Sequence, residues 1–298
     1  MTPGRYGDGR AAGAPERNHA MKVGIIAGNG QFPLLFSRAA KEKGYRVYAA
    51  AIKNEATADV EGVCEETEWL HIGQVKKLIR FFRTHGVAEV VLVGGVTKTH
   101  VFRDIRPDTK AVAFLARMRH THDDTLLSAF ARLLEKEGLA VRSSTFLIPE
   151  ILADAGLWTR KRPSASQAKD MRTGWDIAKE IGRLDVGQCI VMGGGSVLAV
   201  EAIDGTDATI RRGGGLGTGD AVLVKVSKPT QDMRFDVPAV GLQTLQTMKE
   251  AGVTGLVLEA GHAVVFDREA MVAYANENGM TIVAVDGSPA SCPVLGKG

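Results

Sequence analysis

Met21-Lys22-Val23-Gly24-Ile25-Ile26-Ala27-Gly28-Asn29-Gly30-Gln31-Phe32-Pro33 decides how the chain folds. A short apolar run reads as a buried strand, and Gly28-Asn29-Gly30 ends it. Helical spacing begins at Phe32 and runs to Lys43, where Gly44 offers a natural C-cap. Pro33 suits the first turn, because its missing N–H would have no partner there anyway. Working outward, Tyr45 to Ile52 reads as a second strand. Gln74 to His85 is a basic amphipathic helix stopping at Gly86, and Glu89 to Val93 is a buried strand running into Gly94-Gly95. A strand–helix–strand–helix–strand series predicts a parallel sheet with right-handed crossovers, a Rossmann-like α/β domain. Ala111 to Glu137 is helical, with a break near His122-Asp123-Asp124.

The composition then shifts. Leu157 to Ser166 is basic, carries Arg160-Lys161-Arg162 and is punctuated by Pro163, so it reads as a linker. Beyond it lies a second α/β unit. Helices are expected over Gln167 to Ile181, Gly241 to Ala251 and Arg268 to Asn278. Strands are expected over Gln188 to Met192, Ser196 to Ala202, Ala221 to Lys228, Gly255 to Val265 and Thr281 to Val285. The organisation predicted is an extension over 1–20, a first domain over 21–156, a linker over 157–166, a second domain over 167–288 and a tail over 289–298.

The chain has 298 residues, 45% hydrophobic and 24% charged, enough for two cores. A formal net charge of +3 and the lack of a long Lys/Arg block argue against a nucleic-acid partner. Three widely spaced cysteines, Cys64, Cys189 and Cys292, fit neither a disulfide framework nor a thiolate zinc site, and point to a reducing compartment. The first twenty residues lack the apolar core of a signal peptide. No stretch approaches the roughly 20 apolar residues of a membrane span. A cytoplasmic protein is expected.

The loop Gly28-Asn29-Gly30-Gln31 follows a strand and opens a helix, where backbone N–H groups can cradle phosphate. A tight turn that only shapes the fold is the bland alternative. Pro33 replaces the third glycine of the dinucleotide fingerprint, and Lys53 stands where an acid would hold a ribose diol, so a nicotinamide cofactor is disfavoured. Gly95 ends a buried strand, where such sheets place ligands; it permits close backbone approach or merely ends the strand. Asp123-Asp124 suits either a helix N-cap or a carboxylate facing substrate. Glu201, Asp204 and Asp207 precede Arg211-Arg212, a pattern fitting a magnesium–diphosphate or a surface ion-pair cluster. Between Lys228 and Pro238, two prolines shape a loop in which Lys228, Gln231 and Arg234 supply donors and Asp232 and Asp236 supply oxygens. Diphosphate cleavage needs that combination, charge neutralisation beside a positioned water, and a solvated charged loop is the alternative.

Several strings resemble the LpxI family of UDP-2,3-diacylglucosamine pyrophosphatases of lipid A biosynthesis. They are Gly24 to Pro33, the pair Asp123-Asp124, Glu180 to Gln188, Val197 to Asp207, and Arg234-Phe235-Asp236-Val237-Pro238, in order from about Met21 to Asp286. The resemblance implies a Rossmann-like N-terminal domain, a family-specific C-terminal domain and a homodimer. It also implies magnesium-dependent hydrolysis to UMP and 2,3-diacylglucosamine 1-phosphate (lipid X), with Asp236 as the key aspartate. The other assignments are expectations from the residues themselves. Asp204 and Asp207 join Asp236 at the metal, and Arg211 and Lys228 meet phosphates. Gly28, Gly30 and Gln31 line the nucleotide end, with Gly95, Asp124 and Gln231 as further substrate contacts. Two acyl chains on the substrate predict peripheral contact with the inner membrane surface, through Arg160-Lys161-Arg162 or the helix bearing Lys76-Lys77. The competing readings are a sugar-nucleotide oxidoreductase and a non-catalytic binder of an acylated sugar nucleotide.

Overall fold

The structure, a computed structural model, describes residues 21–96, 105–118, 126–229, 231–234 and 237–296. The first sheet holds β1 (Lys22–Ala27), β2 (Arg46–Ile52), β3 (Glu66–Leu70), β4 (Glu89–Val93) and β5 (Ala140–Val141). All pairs are parallel and the order is β3-β2-β1-β4-β5. In a doubly wound sheet of this order the winding reverses between β1 and β4, and the loops after those two strands frame a crevice.

Two helical layers cover the sheet because each helix carries one apolar face. In α1 (Phe32–Glu42), Pro33, Phe36 and Ala40 turn inward onto Val23, Ile25 and Val91. From the other side, α3 (Val75–Thr84) buries Val75, Leu78, Ile79, Phe81 and Phe82 against Ile26, Tyr48 and Val90. A Cβ on Gly24 would stand 2.6 Å from the Phe82 ring, so this glycine leaves the space that the phenylalanine fills. Burying a Phe side chain contributes about 1.5–3 kcal/mol. The short α2 (Val60–Val63), α4 (Thr109–Met118) and α5 (Leu126–Lys136) complete the domain. The break expected near residues 122–124 falls between α4 and α5, outside the described residues.

The second sheet has the order β6-β13-β11-β9-β7-β8. Its parallel centre is β9 (Ala221–Lys225), β11 (Val253–Glu259) and β13 (Thr281–Val285). The hairpin β7 (Cys189–Gly193) and β8 (Ser196–Val200) joins antiparallel on one side, and β6 (Gly156–Leu157) on the other. Gly194 and Gly195 turn the hairpin with φ of 60° and 80°, left-handed values that two-residue turns demand. The long α6 (Ala165–Arg183) lies on one face, and Gly174 lets it approach, since a Cβ there would sit 2.8 Å from Met192 and Val224. Ser164 and Gln167 close a capping box at its start. On the other face lie α7 (Thr206–Gly214), α8 (Leu242–Glu250) and α9 (Arg268–Glu277). A small parallel pair, β10 (Ala239–Val240) with β12 (Val264–Val265), sits beside them.

The elements bear out the expected class, a Rossmann-like parallel sheet followed by a second α/β unit. Two details differ. The expected strand from Gly255 to Val265 is two strands, β11 and β12, and a helix not expected from the sequence, α7, runs through Gly213-Gly214. Those glycines are packing devices: a Cβ on Gly213 would meet Val191 at 2.5 Å, and one on Gly214 the Ala251 carbonyl oxygen at 2.1 Å. The stretch 157–166 is fastened along the second sheet. The backbone N–H of Trp158 donates to Ile282 O at 3.0 Å, and Lys161 Nζ donates to Gly279 O at 2.8 Å. Among the described residues, no helix is long and apolar enough to cross a membrane.

Candidate active site

Both sheets place polar groups at the carboxyl ends of their parallel strands. In the first domain the loops after β1 and β4 are zipped together. Asn29 N–H donates to Gly95 O at 2.8 Å, and Gly95 N–H donates to Asn29 O at 3.3 Å. A Cβ on Gly28 would lie 2.1 Å from Gly95 O, so Gly28 and Gly95 are needed for the loops to touch each other. Gly30 differs. Its φ is +83° and open space surrounds it, so it shapes the turn and leaves room beside it. Gln31 follows, exposed, as the N-cap of α1. Asn29 Nδ2 donates at 2.8 Å to the buried carboxylate of Glu55, an acid at this loop that the sequence reading missed.

In the second domain two buried networks occupy the corresponding end. Glu259, the last residue of β11, receives both its oxygens' bonds from Lys179 Nζ at 2.6 and 2.7 Å. Its Oε2 also accepts the Ser227 N–H at 2.8 Å and the Ser227 hydroxyl at 2.6 Å. Burial alone would raise the Glu259 carboxyl, but the bonds from Lys179 and Ser227 together outweigh it and hold it below the ordinary range. Beside this, Lys225 Nζ donates at 3.0 Å to both Thr206 Oγ1 and Ala239 O. Thr206 in turn donates to Glu201 Oε1 at 2.8 Å, and Glu201 Oε2 accepts the Gln188 N–H at 2.9 Å. Burial and the neighbouring Glu201 push the Cys189 thiol up to about 12, against the opposing pull of Lys225 and Thr206.

The loop leaving β9 starts from these networks and crosses to the first domain. Lys228 N–H donates to Gln231 Oε1 at 2.8 Å, Gln231 Nε2 donates to Gln188 Oε1 at 3.2 Å, and Lys228 Nζ donates to Asp185 at 2.6 Å. Arg234 grips Asp232 through Nε at 3.0 and 3.1 Å and Nη2 at 2.7 Å, then reaches Glu135 on α5 with Nη1 at 2.9 Å. Its carbonyl oxygen accepts the Ser144 N–H at 2.9 Å. The Arg234 guanidinium holds the Asp232 carboxyl below its usual value, and Arg234 is raised in return. Phe32, at the start of α1, meets Phe266 edge-on with centroids 5.5 Å apart. The two strand-end regions are therefore tied to each other by a polar bridge and an aromatic contact.

The expected residues sort as follows. Gly28, Gly30, Gln31 and Gly95 gather at the end of the first sheet, and Lys228 and Gln231 at the end of the second. Arg211 is exposed on α7. Asp204 accepts from Arg212 Nη1 and from the Ala202 N–H, and the guanidinium holds its carboxyl below the ordinary range. It fastens the turn before α7. Asp207 lies in the first turn of α7, where negative charge faces the helix N-terminus. Among the described residues no group of three or more His, Cys, Asp or Glu side chains is arranged to hold a metal ion. Asp236 and Asp124 lie outside the described residues.

Comparisons with known proteins bear on the whole chain. The LpxI N-terminal domain model matches residues 22–151 and the LpxI C-terminal domain model matches residues 154–283. The UDP-2,3-diacylglucosamine pyrophosphatase LpxI of Caulobacter vibrioides is 32% identical over 276 residues, 89% of this chain and 98% of that protein. Solved structures are more distant. The biotin carboxylase domain of Hydrogenobacter thermophilus 2-oxoglutarate carboxylase is 19% identical, covering 59% of this chain and 35% of that one with a TM-score of 0.26. N5-carboxyaminoimidazole synthetase from Staphylococcus aureus is 13% identical, covering 58% and 38% with the same TM-score of 0.26. These scores are too low to mark a shared fold. The two domain matches and the end-to-end relative carry the assignment, and the chain belongs to the LpxI family.

Proposed function

We propose that this protein is a diphosphatase that hydrolyses UDP-2,3-diacylglucosamine to UMP and 2,3-diacylglucosamine 1-phosphate in lipid A biosynthesis. The observation that carries this reading is the match along nearly the whole chain to a relative named for that activity. Two features of the strand-end loops support it. The open glycine turn at Gly30 and Gln31 suits the nucleotide end, and the loop bearing Lys228 and Gln231 suits the diphosphate.

In the reaction, a water oxygen joins one phosphorus, the anhydride bond breaks, and the bridging oxygen leaves with the other phosphate. The protein's task is to balance charge on phosphoryl oxygens and to position that water. Lys228 and Gln231 are the donors at the loop. Asp236, two residues beyond Arg234, is the carboxylate we assign to water or metal. Magnesium enters as a dependence to be tested. The described residues do not assemble a site for it, so no step is routed through the ion. We also assign the chain to a homodimer, which light scattering after gel filtration tests.

The test is direct. Purified protein with UDP-2,3-diacylglucosamine and magnesium is expected to release UMP, to stop on addition of EDTA, and to lose turnover in Asp236→Ala while its circular dichroism persists. No UMP from the native protein overturns the function. Full turnover by Asp236→Ala overturns the site.

A further inference from the structure

The surface of α3 and the segment before α4 enclose a groove of about 810 Å3 lined by Lys76, Lys77, Arg80, Arg83, Arg106 and Lys110. Lys76, Arg80 and Arg83 stand at i, i+4 and i+7, one stripe of the helix, while the opposite face is in the core. Like charges at i, i+4 repel, and α3 contains no acidic residue to relieve them. Three of the lining cations are held from behind. Lys77 meets Glu68 at 2.6 Å, Arg83 meets Glu137 at 3.0 Å, and Lys110 also meets Glu137. The side chains of Lys76, Arg80 and Arg106 meet no carboxylate among the described residues. Asp108, the acid in the lining, directs its oxygens to the N–H groups of Lys76, Lys110 and Ala111. Six cations against three carboxylates leave a local excess as large as the chain's entire formal net charge of +3.

We propose that this groove is the face by which the protein docks on an anionic phospholipid surface. The cations that carry it are exposed, so they suit a plane of headgroups better than one enclosed phosphate. Exposed Ile105, at 39% relative exposure, and Pro107 bracket Arg106 and give the face an apolar edge, the pairing of charge and apolar contact that interfacial binding uses. The other basic candidate, Arg160-Lys161-Arg162, is held against the second domain, Lys161 Nζ on Gly279 O and the Arg160 N–H on Asn276 Oδ1. The inference rests on the function proposed above only in that an acylated substrate gives docking a purpose.

The test is flotation of the full chain with vesicles containing phosphatidylglycerol and with vesicles of phosphatidylcholine alone. Native protein is expected to float with the first, not with the second, and to be released by salt. Each of Lys76→Gln, Arg80→Gln and Arg106→Gln is expected to weaken binding about fivefold, and the triple variant about a hundredfold, at roughly 1 kcal/mol per charge near such a surface. Lys161→Gln serves as the unaffected control, and UMP release from detergent-dispersed substrate should be unchanged in the triple variant. Native protein that ignores anionic vesicles, or a triple variant binding within twofold of native, overturns the docking. So does retention of a DNA oligonucleotide through the same three cations without vesicle binding, which assigns the groove to nucleic acid. Flotation with no turnover would leave the docking standing while the proposed function fell.

Discussion

Replacing Lys179 by Met removes the cation from the Glu259 carboxylate and keeps most of the side-chain stem. The pair is mostly buried: the Lys179 side chain is 26% exposed and that of Glu259 11%. Removing one partner of a buried pair costs about 3–5 kcal/mol because the other charge is left uncompensated. Here Ser227 still donates two bonds to Glu259, which brings the cost to the bottom of that range or below it, about 2–3 kcal/mol at neutral pH. The pH dependence follows from the direction of the Glu259 shift. Its carboxyl lies below the unfolded value, near 4.5, so its stabilisation is present above that value and lost as pH falls through the lower folded one. Without Lys179 the burial contribution regains weight and the carboxyl moves up. The gap between variant and native is therefore widest at neutral pH and narrows as Glu259 protonates below about 4.5. Urea unfolding followed by tryptophan fluorescence reads this directly, since Lys179 Nζ stands 5.7 Å from the centre of the Trp175 ring. A variant within 0.5 kcal/mol of native at pH 7, roughly the range of neutral surface changes, would refute the reasoning. A gap that widens on acidification would do so equally.

Gly28→Ala is expected to lose about 1–3 kcal/mol by thermal unfolding, because its Cβ would lie 2.1 Å from Gly95 O and the two loops must part. Arg234→Gln should change stability by less than about 1 kcal/mol, since the guanidinium is 34% exposed, yet lower turnover more than about tenfold by releasing the crossing loop from Glu135. Turnover equal to native in that variant would remove the loop crossing from the functional account. Cys189, with its thiol at about 12, should resist alkylation in the folded protein and become modified only on unfolding, which peptide mass mapping detects.

Much of the fold was legible because its signals are local. Glu89–Val93 and Thr281–Val285 are found at the residues expected, being apolar runs with glycine or proline close by. The edge strand β3, Glu66-Thr67-Glu68-Trp69-Leu70, escaped because an edge needs no apolar run, and only Leu70 of the five is fully buried. The helix α7 escaped for the opposite reason. Its Gly213-Gly214 pair carries a low helix propensity that is overridden by close packing on Val191 and Ala251, a tertiary fact with no local trace.

The site divides along the same line. Glycines and a proline-bounded loop announce themselves by backbone chemistry, so Gly28, Gly30, Lys228 and Gln231 were singled out. The buried ion network was not, although each member leaves a mark. Glu259 ends Leu256-Val257-Leu258, and Lys225 ends Val222-Leu223-Val224, each a charge closing an apolar strand at its carboxyl end. In a parallel sheet that position faces the ligand crevice, and a charge there survives burial only with a partner. Lys179 is 80 residues before Glu259, and no spacing rule joins them. What joins them is that α6 crosses the same sheet, so the partner becomes evident only once the helix is laid across the strands. By the same reasoning, Asp204 drew attention through its acidic neighbours and yet serves Arg212, whereas Glu201 lies buried and bonded to the strand-end groups. Burial, which acid clustering in sequence does not report, separates the two.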